Sequence, residues 1–305
     1  MTGPAVEGRP TRRGTGLRAD LRVAVFDASA ALLVTLGLFA WLTARIASGE
    51  SPTLAVMPFL ADAGQYWLYW LCQAFGWSAL LWAWLTTMLG LIRSSARPSW
   101  LRVAPARVER WHRATSLTTI GLMFAHAAAF FAELVREGDG VWASFVQTFV
   151  PGGYTSGTGR VAILLGLLAF YLAIPLGLAF YVRDRLGARL WRALHRCILV
   201  VYVLSVWHTL LYGTNVWFDG WPRTTLWVLQ LPVAVLLLAR VVAPARPVER
   251  WERTRGLVPV ARRVGALLLA AGTVVVLVLV VVTGRDGGRP LSQPAPASVV
   301  DERGQ

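Results

Sequence analysis

The sequence predicts an all-α protein, a polytopic bundle of membrane-crossing helices, and three observations carry that prediction. The 305 residues are 56% hydrophobic and only 15% charged, where a soluble chain carries about a quarter. The apolar residues gather into runs of 20 or so, the length needed to cross about 30 Å of hydrocarbon at about 1.5 Å per residue. The basic residues, 30 against 16 acidic ones for a net charge of +14 and every one an arginine, sit between those runs. Nucleic-acid binders concentrate charge on a soluble module. The arginines are therefore read as topology signals, no nucleic-acid partner is expected, and an ordinary water-soluble enzyme is excluded.

Seven runs follow in order, at 24–45, 66–92, 108–134, 160–182, 190–212, 223–243 and 262–283. The first is preceded by Arg12-Arg13, but the hydrophobic residues of a twin-arginine export signal do not follow, and the run is long enough to span. The second holds Cys72. The third starts early, because Pro105 suits the first turn of a helix and lets it take in His112. The fourth follows Gly157 and Gly159, a G-x-G fragment outside any strand-to-helix context and so read as a turn. The fifth contains His195, Cys197 and His208. The sixth closes a core of six helices, and the seventh, nearly all Leu, Val and Ala over 268–283, is an extra span facing lipid or a partner. Residues 1–22 and 284–305 are expected to be disordered tails and 244–261 a linker.

Arginine counts orient the bundle. The N-terminal tail and the segments 93–113, 183–196 and 240–263 hold 23 arginines, and the alternate segments hold seven. By the positive-inside rule the N-terminus is cytoplasmic and the C-terminus lies outside, in a cell inner (plasma) membrane. Cys72 and Cys197 then fall in opposite halves of the bilayer, too far apart for a disulfide.

All four histidines fall on two of these helices, His112 and His126 on the third and His195 and His208 on the fifth. The two helices run in the same direction, so His112 comes level with His195 near the inner face and His126 with His208 near the outer. The levels are about 20 Å apart along each helix. Imidazoles facing one another at two depths suit two planar macrocycles, each held by two axial nitrogens. Without a C-x-x-C-H run such haems are non-covalent, of b type. Arg113 and Arg196, each following an inner histidine, are placed to neutralise propionates, while Gly121 and the alanines around His126 leave room for a flat ring. A bare metal site is the poorer reading, since each level offers only two imidazoles. Thirteen residues between His195 and His208 leave a straight helix about 140° out of phase. That spacing calls for a π-bulge, a bend, or approach from different sides.

At these residues the chain resembles the ferric-reductase-like transmembrane domain superfamily. The resemblance rests on the WHR at His112, the fourteen-residue step to His126, RLGARLWRALHR ending in His195 and Arg196, and HTLLYGT from His208. It spans about 24–243, within an expected domain of 23–243. It implies two haems b, His112 with His195 for the inner and His126 with His208 for the outer, passing electrons from the cytoplasm to an acceptor outside such as ferric iron. Members often continue into a flavin and nicotinamide domain, but no flavin site is found in this chain. The donor is then a separate flavoprotein or membrane quinol. Alternatives are a haem subunit serving a separate extracytoplasmic reductase, as in the methionine sulfoxide reductase system, or a haem sensor or scaffold without turnover.

Other residues have two readings each. Tyr202 and Phe124 are core aromatics or steps on an electron path. Asp27 is a helix-end or arginine partner, or a proton or quinol group. Trp111, Trp191 and Trp221 are interfacial anchors. Glu133, Glu137 and Asp139 are a solvated loop or an attractor for cationic iron.

Overall fold

The computed structural model describes residues 16–95, 102–155, 157, 159–218, 220–246 and 257–283. The expected tails at 1–15 and 284–305, most of the expected linker and Asp219 lie outside the described residues. Six helical stretches are long and apolar enough to cross a membrane, which makes this a multi-pass membrane protein with an all-α architecture. They are α1 (Leu17–Ala47), α3 (Trp67–Ser94), α4 (Pro105–Glu137), α6 (Gly159–Leu178), the pair α8 (Ala188–Arg196) and α9 (Ile198–Tyr212), and the pair α10 (Trp221–Val228) and α11 (Gln230–Val242). The C-terminal helix α12 (Leu257–Thr283) holds a further, shorter apolar stretch at Arg263–Leu279. Short helices α2 (Thr53–Val56), α5 (Val141–Phe149) and α7 (Arg183–Leu186) lie in the connections.

Helix α4 does begin at Pro105, which occupies its first turn. Two expected boundaries move. Residues 17–22 are the first turns of α1 rather than part of a disordered tail, because buried Asp20 meets Arg113 of α4 at 3.0 Å and ties this end of α1 to the bundle. Helix α12 likewise starts at Leu257, inside the expected linker.

Packing follows apolar faces, with sparse polar ties between helices. α3 packs along α4, α1 lies against both, and α6 packs along α9. A core of Leu80, Val206, Leu210, Val233 and Leu277 joins α3, α9, α11 and α12, so the seventh span is docked on the bundle. Within it Tyr202 donates to Gln230 at 2.8 Å. Thr35 donates to Ser78 at 2.7 Å between α1 and α3, and the Thr53 and Thr214 hydroxyls are bonded between two connections. Hydroxyl pairs are a workable glue where hydrocarbon offers no water.

Two spans are broken. At Leu229, between α10 and α11, the Trp84 indole donates to the backbone carbonyl at 2.7 Å, a side chain entering the helical ladder. At Cys197, between α8 and α9, the amide bonds to the Leu194 carbonyl at 2.9 Å, three residues back. This tightened turn lies between His195 and His208.

Candidate functional site

The four histidines form two pairs. His112 and His195 have ring centres 6.0 Å apart with planes at 84°, and His126 and His208 have centres 6.0 Å apart at 75°. α4 is backed by α3, and α9 by α6, so each pair faces inward between two backed helices. The 13-residue step between His195 and His208 contains the interruption at Cys197, where α8 ends and α9 begins.

The second observation is how each ring is held. Nδ1 of His112 donates to the Thr86 carbonyl at 3.0 Å, Nδ1 of His126 to the Cys72 carbonyl at 2.8 Å, and Nδ1 of His208 to the Ala162 carbonyl at 2.7 Å. A carbonyl can only accept, so in these three rings the proton sits on Nδ1 and the Nε2 lone pair is free for a metal. Nδ1 of His195 is turned toward the Leu176 carbonyl without reaching hydrogen-bond geometry.

Glycines make these contacts possible. A helical carbonyl points toward the amide four residues on, so a ring reaching it passes over that residue. Four residues after Cys72, Thr86 and Ala162 stand Gly76, Gly90 and Gly166. A methyl at Gly76 would lie 3.0 Å from the His126 ring, at Gly90 3.1 Å from His112, and at Gly166 2.8 Å from His208. A methyl at Gly121, expected to leave room for a ring, would meet nothing within 4 Å.

A metal held by two imidazoles lies about 2.0 Å from each nitrogen, with each ring centre about 1.1 Å behind, so the centres stand roughly 6.2 Å apart. Both observed spacings are within a few tenths of that figure. Between His126 and His208 lies a cavity of about 130 Å³, lined mainly by apolar and aromatic groups including Trp77, Phe130 and Phe170. The space at His112 and His195 is smaller, about 30 Å³, and more polar, with Arg93, Arg113, Tyr181 and Trp191 on its wall. No group of three or more His, Cys, Asp or Glu side chains gathers among the described residues. Two pairs of opposed imidazoles at that separation, three of the four rings with Nε2 free and the His126–His208 pair beside a mainly apolar space, fit a bis-histidine haem better than a bare metal.

The flanking residues sort as follows. Arg113 lines the inner space, paired with Asp20 at 3.0 Å and with Glu109 at 2.8 Å. Arg196 is exposed, and Arg93, which the sequence reading passed over, lines the wall instead. Tyr181 donates to Asp20 at 3.1 Å. Burial and the adjacent carboxylate push its phenol above the usual range, so it stays a donor. Asp27 accepts from the Trp82 indole at 2.9 Å, an arrangement the sequence reading did not offer. Trp191 stacks on His195 with centres 5.5 Å apart, a site contact beyond interfacial anchoring. Trp111 and Trp221 are exposed. Tyr202 is core, and Phe124, 58% exposed, faces outward beside Phe170. Glu133 is buried and clasped by Arg136. Cys72 is buried beside His126 and Cys197 is exposed, both as free thiols.

No curated protein and no solved structure matches the chain. Residues 75–206, which carry His112, His126 and His195 and end two residues before His208, match the model of the family described as ferric reductase like transmembrane component. That segment is similar to the ferric-reductase-like transmembrane component, a domain associated with electron transfer across a membrane.

Proposed function

We propose that the chain conducts electrons through two non-covalent b-type haems, held by His112 with His195 and by His126 with His208. The donor is a cytoplasmic flavoprotein or membrane quinol, and the acceptor lies outside, with ferric iron as the leading example. The observation that carries this is the repeated 6.0 Å pair, with Nδ1 of His112, His126 and His208 tied to backbone carbonyls. Two haems, when bound, supply one-electron carriers in each leaflet, dividing a path of about 30 Å into two shorter steps.

The protein's own groups do the rest. The carbonyls of Cys72, Thr86 and Ala162 orient the ligating rings and set their tautomer. Two histidines per site leave no open position for oxygen or another ligand, which favours electron transfer. Apolar side chains around His126 and His208 keep water out. At the inner level Arg113 and Arg93, with Arg196 at the exposed edge, are the cations for propionates. Their pairing with Asp20 and Glu109 keeps the buried charge balanced. The 23-to-7 distribution of arginines supports a cytoplasmic N-terminus and an extracytoplasmic C-terminus.

Purified protein is expected to give a b-type reduced-minus-oxidised spectrum and two haems per chain by pyridine haemochrome. His126→Ala or His208→Ala should remove one haem and stop reduction of an external acceptor, leaving the other haem in place. Absence of any haem band overturns the proposal. Reduction in sealed vesicles by quinol, or by NADPH with a flavoprotein, separates the two donors.

A further inference from the structure

Thr148 is 3% exposed, and its hydroxyl has no hydrogen-bond partner among the described residues. It stands on the wall of the cavity between His126 and His208, carried there by α5, the short helix packed back against α4. Three other hydroxyls on that wall are already used. Ser205 and Thr209 donate to carbonyls of their own helix, and Tyr69 donates to the Met57 sulfur. A buried hydroxyl left without an acceptor is costly, so one beside a cavity marks the place of an oxygen acceptor.

A second donor lies on the same wall. Gln73 accepts from Asn215 at 3.1 Å through its side-chain oxygen, which leaves its amide hydrogens to give. No arginine is in this lining, in contrast to Arg93 and Arg113 at the other level. The acceptor here is met by neutral donors alone.

We propose that the Thr148 hydroxyl, with the Gln73 amide, binds a carboxylate of the haem held between His126 and His208, making α5 the latch of that site. The proposal rests on the dihaem reading. It separates the two levels by chemistry: arginine cations hold the carboxylates at one, uncharged hydrogen-bond donors at the other. Helix α5 does not depend on Thr148 for its place, because the Tyr171 hydroxyl donates to the Phe149 carbonyl at 2.5 Å and Phe131 packs on Phe149.

The test uses the full chain in lipid nanodiscs, with haem release followed spectroscopically by transfer to apomyoglobin. Thr148→Val keeps the shape and removes the donor, and Thr148→Ser restores it. A hydrogen bond to a charged acceptor predicts that Thr148→Val releases one of its two haems about tenfold faster or more, with Thr148→Ser close to the parent. When the protein is reconstituted with haem dimethyl ester, which has no carboxylate, the difference between parent and Thr148→Val should disappear. Parent-like release from Thr148→Val overturns the latch, and so does equally fast release from Thr148→Ser. A parent protein with no haem overturns the underlying dihaem reading instead, a result the two variants do not produce.

Discussion

The sharpest consequence of the site geometry concerns Gly166. A methyl built there would lie 2.8 Å from His208 Nδ1, 2.9 Å from Cε1 and 3.2 Å from Cγ. Ordinary carbon contacts begin near 3.5 Å, so the ring must back away by about half an ångström or more. Moving it lengthens the 2.7 Å bond from Nδ1 to the Ala162 carbonyl. Losing that bond costs about 1 kcal/mol and the overpacking about 1–3 kcal/mol. Gly166→Ala should therefore weaken the His208 site by about 2–4 kcal/mol, at least a 30-fold loss in haem affinity at about 1.4 kcal/mol per tenfold. Haem stoichiometry by pyridine haemochrome, with a redox titration resolving the two centres, reads the outcome. Gly37→Ala on α1 is the control, since nothing stands within 4 Å of its added methyl. If Gly166→Ala retains both haems with parental potentials, the reasoning that glycine admits the ring to the carbonyl is wrong.

Three further outcomes follow from other parts of the fold. Asp20→Asn leaves Arg113 with Glu109 alone, and breaking a buried pair costs about 3 kcal/mol; a thermal midpoint equal to the parent's would show that Asp20 is not holding α1 to α4. Arg223→Met removes donors to the Val216 and Trp217 carbonyls at 2.8 and 3.3 Å; a loss of about 2 kcal/mol is expected, measured by denaturation in detergent. A membrane-impermeant maleimide should modify an Asp184→Cys variant, whose position lies outside the spans with a side chain 98% exposed, and spare buried Cys72. It should do so only in inside-out vesicles, and labelling in right-side-out vesicles would reverse the orientation drawn from the arginines.

The sequence by itself determined the membrane class, the order of the spans and the entry of α4 at Pro105. These are local quantities: a run of apolar residues must bury itself in hydrocarbon. Pairing His112 with His195 and His126 with His208 needed only that the third and fifth spans run in the same direction. The helix break at Cys197, between His195 and His208, was not legible from the residues. The glycines carried a signal that went unread. Gly76 and Gly90 stand fourteen residues apart, as do His112 and His126, but the match gains meaning only once α3 is known to back α4. Likewise Asp20 looked like part of a polar tail until Arg113 faced it, and Asp27 had no visible partner until Trp82 was beside it. Tertiary structure decided these points because which side chain meets which carbonyl depends on the rotation of each helix about its axis. Hydropathy alone leaves that rotation undetermined in a chain with so few polar residues.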